Sequence, residues 1–380
     1  MRIGLDARKL GPTGIGRYVN ELLQAAVKLD PTIEWHLFVQ PDYRQTIELS
    51  LAKNKQISFH VTEVGYYSWR EQFGWARELD RYGLDLIHFP NFNIPRGLRT
   101  RAVTTIHDLT LLNYPGRRMF WGKRWLYGQV LKRSLRQAAA IITDSQDSAT
   151  DIRQFAHQNG LKLGHRLQVI VLGVSDYFWA EVRQRELNAE LALLNLVNPF
   201  FLVVASDFKH KNVILTLQAF AKLVAKTKSL PHKLVLVGRF GVSGVTEQWL
   251  NEHESIKNRV LIAGVVNNET LRALYHQATA LVFCSLKEGF GLPILEAYAV
   301  GCPVITSNRS SMRELARGAA LLVDPTNVTT ITQAMSKMLP QSAFTKTKIK
   351  QQSLGKKIAR SYSWSKCAKQ LLKIYQHVIS

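Results

Sequence analysis

The densest chemistry in this 380-residue chain lies in Glu288-Gly289-Phe290-Gly291-Leu292-Pro293-Ile294-Leu295-Glu296. Proline suits the first turn of a helix, where its missing N–H costs nothing. The glycines let the backbone approach a ligand closely, and the free amides of a helix start favour anions such as a diphosphate. If the helix starts near Pro293, Glu296 falls in its first turn, close to the loop that carries Glu288. Two ionised carboxylates can then accept hydrogen bonds from one polyhydroxyl ligand. The plainer alternative is a glycine turn and a helix whose Glu296 merely complements the dipole.

A second candidate is Lys211, in Lys209-His210-Lys211-Asn212. A fixed cation in a dry cleft stabilises charge that develops on a leaving oxygen; the alternative is a solvated surface lysine. His107, beside Asp108, is the third candidate, although a lone histidine is more often structural than catalytic. Gly14 and Gly16 form a Gly-x-Gly pair near the start, which is weak evidence by itself. No Asp/Glu/His cluster has metal-ligand spacing. Cys284, Cys302 and Cys367 show neither metal spacing nor a framework of pairs, and read as reduced thiols of a cytosolic protein.

The elements that must hold these residues are legible as apolar, β-branched runs. In the first half they are Arg2–Asp6, Glu34–Gln40, Ile57–Thr62, Asp85–Phe89, Ala102–Ile106, Ala140–Asp144 and Gln168–Val171. In the second half they are Phe200–Ala205, Lys233–Gly238, Arg259–Gly264, Ala280–Ser285, Pro303–Ser307 and Ala319–Asp324. Helical patterns such as Asn212–Val224 and Glu269–Gln277 alternate with them. Such alternation predicts parallel sheets covered on both faces, in two doubly wound domains. The polar stretch Glu181–Asn198 reads as the linker. In open α/β sheets ligands sit beyond the carboxyl ends of the strands. Gly14, Gly16, His107, Ser206, Lys209, Lys211, Arg239 and Glu288 all follow such runs.

Taken together, the motifs resemble the retaining glycosyltransferases of family 4. Glu-x7-Glu enclosing Gly-Phe-Gly-Leu-Pro is similar to the family signature. Arg2-Ile3-Gly4-Leu5-Asp6 with Gly14-Ile15-Gly16-Arg17-Tyr18 looks like its first strand and glycine loop. Thr105-Ile106-His107-Asp108-Leu109, His210-Lys211-Asn212 and Gly301-Cys302-Pro303-Val304 match further elements, and Ser363-Trp364 to Tyr375 resembles its terminal helix. The resemblance spans nearly the whole chain and is weakly specific for substrate.

It implies the GT-B fold: two Rossmann-like doubly wound α/β domains facing across a cleft, residues 1–182 for the acceptor and 198–360 for the donor, with a helix at 363–380 returning to the first. It implies transfer from a nucleotide diphospho-sugar (GDP-mannose or a UDP-sugar) to a glycan or lipid-linked acceptor in cell-surface polysaccharide or glycolipid synthesis. Attack is front-face, the leaving phosphate assists deprotonation of the acceptor, and no metal is expected. By the same resemblance Glu296 would bind the nucleotide ribose and Glu288 the donor-sugar hydroxyls. Backbone amides of Phe290, Gly291 and Leu292 would touch the diphosphate or sugar, and Lys211 would neutralise the leaving group. His107 would contact donor sugar or acceptor, and Gly14 and Gly16 would let the first loop close over the diphosphate. One departure stands out: Ser206 occupies the place of an arginine found in many members, and Lys209 or Arg239 is the substitute cation. The alternative is a nucleotide-sugar-binding protein or an epimerase without transfer activity.

The charge is uneven as well as high, at +22. Leu109–Thr143 holds no acidic residue and seven basic ones; Pro325–Ser380 holds none and ten. No nucleic-acid module is visible, so nucleic acid is not the expected partner. In Arg117–Ala138, a helical wheel places Met119, Phe120, Leu126, Tyr127, Val130, Leu131 and Leu135 on one arc. Arg117, Arg118, Arg124, Lys132, Arg133 and Arg136 lie on the other, with Trp121 and Trp125. Tryptophan mixed with arginine opposite an apolar face suits an anionic lipid surface; a core-packed helix with a solvated basic face is the alternative. The first residues lack the apolar region of a signal peptide. The expected location is cytoplasmic, peripheral on the inner membrane face if the helix docks there.

Overall fold

The computed structural model describes every residue except 12, 43–50, 52, 115–120, 197–198, 228, 242–243 and 340–344. The chain forms two compact units, Met1–Gly173 with Ser363–Ser380, and Val174–Tyr362.

The first unit is built on seven parallel strands: β1 (Arg2–Asp6), β2 (Glu34–Val39), β3 (Ile57–Val61), β4 (Leu86–Phe89), β5 (Arg101–Thr105), β6 (Ala140–Thr143) and β7 (Leu167–Val169). They lie in the order β3-β2-β1-β4-β5-β6-β7. The inner strands are buried on both faces, as continuous apolar runs demand. Below the sheet, a core of Trp75, Leu79, Phe89, Leu131, Leu135 and Ile152 gathers residues from three helices and a strand.

The helix Trp364–Ile379 belongs to this unit and packs on the helix Gly14–Leu29. Buried Tyr375 fixes its register, because its hydroxyl lies 2.6 Å from Nδ1 of His88 on β4. Nε2 of His88 meets the Thr105 hydroxyl at 2.8 Å. Burial pulls the His88 imidazole down to a pKa of about 3, so it serves as a neutral hydrogen-bonding link.

The second unit carries six parallel strands: β8 (Phe200–Val204), β9 (Lys233–Val237), β10 (Val260–Gly264), β11 (Ala280–Phe283), β12 (Val304–Ser307) and β13 (Leu321–Val323), in the order β10-β9-β8-β11-β12-β13. Phe200, Phe201 and Leu202 are fully buried, each contributing about 1.5–3 kcal/mol of apolar transfer. The stretch read as a linker is not one. Residues 184–193 form a helix that packs on the helix Asn268–Gln277 of this unit, and Glu190 accepts a 2.6 Å hydrogen bond from the Thr270 hydroxyl. Its leucines drive the packing: Leu187 and Leu191 are one turn apart and both buried.

In both sheets the chain starts in the middle and winds outward in two directions. The reversal falls between β1 and β4 in the first unit, and between β8 and β11 in the second. Loops leaving such a pair diverge to opposite faces and open a crevice at the carboxyl edge.

Candidate functional site

The crevice of the second unit holds two of the residues singled out by sequence. Lys211 leaves β8 and Glu288 leaves β11, and the fold brings them together across 77 residues. The Lys211 ammonium lies 2.8 Å from both carboxylate oxygens of Glu288. The side chains are 21% and 11% exposed, so the pair is shielded yet reachable.

Each partner is held by its own loop. Lys211 ends a single 3-10 turn, and Asn212 follows in the left-handed region at φ 59°, which asparagine tolerates better than most residues. The Asn212 side chain donates to the carbonyls of Cys284 at 3.0 Å and Pro325 at 2.6 Å, tying the turn to the ends of β11 and β13. The Glu288 amide donates to the Ser310 hydroxyl, and its carbonyl accepts from the Ser310 and Ser311 hydroxyls.

Gly291 precedes the helix Leu292–Val300 with φ 119°, a conformation only glycine enters without strain. The helix opens with Pro293 in its first turn, as the sequence indicates. Glu296 is not in the first turn, however. It is the fifth helical residue, 3% exposed, and its carboxylate accepts a 2.8 Å hydrogen bond from the Tyr275 hydroxyl. The helix begins one residue earlier than the proline suggests, because Gly291 forms the cap. The Phe290 ring is buried edge-on to Tyr362, which leaves its backbone, not its ring, for a ligand. Ser206 and Lys209 occupy the loop of Lys211. The Asp207 amide bonds the Arg239 carbonyl at 3.0 Å, so the loops after β8 and β9 run side by side. Lys209 and Arg239 are both exposed.

The carboxyl edge of the first unit holds His107, Gly14 and Gly16. His107 Nδ1 lies 2.5 Å from Asp144 Oδ2, with Tyr18 edge-on at 5.0 Å. Burial pulls the imidazole pKa down, but the Asp144 charge and hydrogen bond outweigh it and the net shift is upward. Nε2 of His107 has no hydrogen-bond partner among the described residues. Asp144 is missed by motif matching, although it directly follows β6 and the strand-end rule covers it. Gly16 is required by packing inside the loop, since a Cβ there would lie 2.2 Å from the Gly11 carbonyl oxygen. Gly14 has open space instead. Beside them Arg8 is fully buried, 2.8 Å from Asp6 and 2.7 Å from Glu71, with its guanidinium over the Tyr66 and Trp75 rings. The three cysteines are buried and free, and burial pushes the Cys284 and Cys302 thiols up to about 12.

A cation and a carboxylate meeting at the switch point of a doubly wound sheet, beside a glycine-capped helix start, fit the class of proteins that hold phosphorylated, hydroxyl-rich ligands at a Rossmann-like edge. Comparison with known proteins narrows that class. Residues 12–176 match the model described as Glycosyltransferase Family 4, and residues 185–358 the model described as Glycosyl transferases group 1. The O-antigen chain mannosyltransferase B of Escherichia coli is 27% identical over 378 residues, covering 96% of each chain. The O-antigen chain mannosyltransferase RfbU of Salmonella typhimurium is 25% identical over 228 residues, 60% of this chain and 58% of its own. Among solved structures, a sucrose-phosphate synthase from Thermosynechococcus elongatus superposes with a TM-score of 0.77 at 21% identity, over 100% of this chain and 99% of that one.

The chain belongs to the family 4 glycosyltransferases and has the GT-B type of fold, with two Rossmann-like sheets. It is a sugar-transferring enzyme.

Proposed function

We propose that the enzyme transfers a sugar with retention of configuration: mannose from GDP-mannose or, as the second choice of donor, the sugar of a UDP-sugar. The acceptor is a glycan or a lipid-linked saccharide in cell-surface polysaccharide synthesis. The observation that carries the reading is the Lys211–Glu288 pair at the β8/β11 switch point. The mannosyl preference rests on the O-antigen mannosyltransferases it resembles.

In this reading Glu288 exchanges part of its bond to Lys211 for donor-sugar hydroxyls, and Lys211 turns to the diphosphate. Charge grows on the leaving oxygen as the glycosyl bond stretches, and Lys211 with the amides at the start of Leu292–Val300 stabilises it. Glu296 accepts from the ribose hydroxyls, its orientation set by Tyr275. Lys209 and Arg239 take over the charge that Ser206 does not supply. His107, oriented by Asp144, presents Nε2 to donor sugar or acceptor. The positive charge comes from side chains and amides, so turnover is expected to persist in chelator; complete loss, restored by a divalent ion, would contradict this assignment.

Transfer of label from GDP-mannose to lipid and polysaccharide fractions, compared with UDP-sugars, tests the donor. Hydrolysis or binding without any product of transfer would favour a silent nucleotide-sugar binder.

The same reading places the helix Trp121–Gln137 on anionic lipid. No helix among the described residues is long and apolar enough to cross a membrane. Trp125 is 58% exposed, and Arg124 and Arg136 of the same helix are also exposed. Two residues depart from the helical wheel. Leu126 is 51% exposed, since the core begins one residue later, at Tyr127. Arg133 is half-buried and bonds Gln72 and the Ile94 carbonyl, so it braces the fold. Arg117, Arg118, Met119 and Phe120 lie outside the described residues. Salt-sensitive co-sedimentation with anionic vesicles is the test of docking.

A further inference from the structure

A groove of about 300 Å³ runs beside the exposed face of that helix, between it and the helix Gln146–Gln158. Its walls are mostly apolar, formed by Leu112, Trp125 and Phe155, and its charged residue is Arg124. Among the described residues no carboxylate lines it.

Gly128 lines the groove, in the middle of a helix. Glycine there costs about 1 kcal/mol relative to alanine. Nothing in the fold requires it. Its φ is not positive, and a Cβ would meet no atom within 4 Å. What the missing side chain does is keep the groove open beside Trp125. The volume falls at the lower end of small-molecule sites, which span roughly 300–1,000 Å³. An apolar trough with one cation and no anion selects an amphiphile that carries negative charge on one end. Arg124 has no acidic partner among the described residues, and a guanidinium suits a phosphate with two parallel hydrogen bonds.

We propose that this groove binds a single lipid with an anionic phosphate headgroup, its tail in the space left by Gly128 and its phosphate on Arg124. The proposal builds on the docking reading of the helix and goes beyond it. Adsorption through scattered charges needs no groove, whereas a bound lipid makes Gly128 a specificity determinant.

The experiment titrates the full chain with dodecyl phosphate below its micelle concentration, by calorimetry, with inorganic phosphate as a second ligand. The variants are Gly128→Leu, which fills the trough, Gly128→Ala, which fills little of it, and Arg124→Gln. Both glycine variants gain helix propensity, so their melting temperatures are expected to match or exceed that of wild type. Wild type should bind dodecyl phosphate saturably and inorganic phosphate far more weakly. Gly128→Leu should lose on the order of tenfold or more in affinity, Gly128→Ala less, and Arg124→Gln should abolish the preference for phosphate over dodecanol. Equal affinities for wild type and Gly128→Leu, or equal binding of dodecyl phosphate and inorganic phosphate, would overturn the site.

Vesicles of phosphatidylglycerol and phosphatidylcholine separate the two readings. Equal co-sedimentation of wild type and Gly128→Leu, with equal dodecyl phosphate binding, leaves docking standing and removes the groove. Binding of dodecyl phosphate that Gly128→Leu abolishes, without any vesicle binding, leaves the groove standing and removes docking. Hydrolysis of GDP-mannose should be the same in all of these proteins.

Discussion

Arg8 and Lys211 occupy corresponding places in the two units. Each follows the strand at which its sheet reverses direction, β1 or β8, and each is met by a glutamate from a different segment. Their surroundings differ. Arg8 has a fully buried side chain, two carboxylate partners and aromatic rings against its guanidinium. Lys211 is partly exposed, has one carboxylate, and sits on a loop that opens to a crevice edge. A guanidinium locked by two carboxylates leaves nothing for a ligand to displace. An ammonium bound to one carboxylate at the crevice can exchange that partner for a diphosphate at modest cost. The same position in the same fold therefore braces the loop of one unit and, in the proposed function, handles the chemistry of the other.

The strongest way to break this contrast is through Arg8. Arg8→Ala leaves Asp6 and Glu71 as uncompensated buried charges, and should cost about 3–5 kcal/mol of stability in chemical denaturation. Burial already holds the Glu71 carboxyl above the usual range, against the pull of Arg8. A loss under ~1 kcal/mol, typical of an exposed pair, would show that the network is not structural.

Lys211→Ala and Glu288→Ala should behave oppositely. Their melting curves should stay close to wild type, while turnover of the donor falls by about 10²–10³-fold, the cost of a lost charge-stabilising group. Near-normal turnover in either variant, or a large stability loss with proportionate activity, would erase the difference between the two ion pairs.

Glu296→Ala should act on nucleotide affinity more than on turnover, by about 1.5–3 kcal/mol, as for a hydrogen bond to a charged group. Tyr275→Phe is the control for the released tyrosine hydroxyl. An unchanged nucleotide dissociation constant in Glu296→Ala would remove the ribose role.

The smallest effect sharpens the contrast within the first unit. The His107 pKa is raised above 6.5 by Asp144, despite burial. Between the unfolded and folded pKa values the native state holds more protons than the unfolded chain, so this contribution is full below pH 6.5 and fades as pH rises through the folded value. The stability difference between wild type and Asp144→Asn should therefore shrink from pH 6 toward pH 9 in thermal melts. A difference independent of pH would mean that His107 is neutral throughout.

All thirteen strands of the described residues were legible in the sequence within a residue or two, the inner ones because a parallel strand buried on both faces must be continuously apolar, and few other elements look so. The glycine-proline start of the helix after β11 was legible for a similar reason: it depends on neighbours within a few residues. Glu296 was placed one residue too early in the helix, because a glycine cap shifts a helix start by one residue without changing the pattern. Leu126 was assigned to the core by angle alone, although which turn of a helix first meets the sheet is not written in its periodicity.

What the chain could not reveal is which strand ends become neighbours. Strand order need not follow chain order, so Lys211 after β8 meets Glu288 after β11 across 77 residues; His107 meets Asp144 across 37, after the consecutive strands β5 and β6, and Arg8 meets Glu71, on a helix, across 63. Residue type and local spacing nominated Lys211, Glu288 and His107 as chemically able. Only the folded sheets gave each a partner at 2.5–2.8 Å, since hydrogen-bonding and charge–charge energies fall steeply with distance that the linear sequence does not encode.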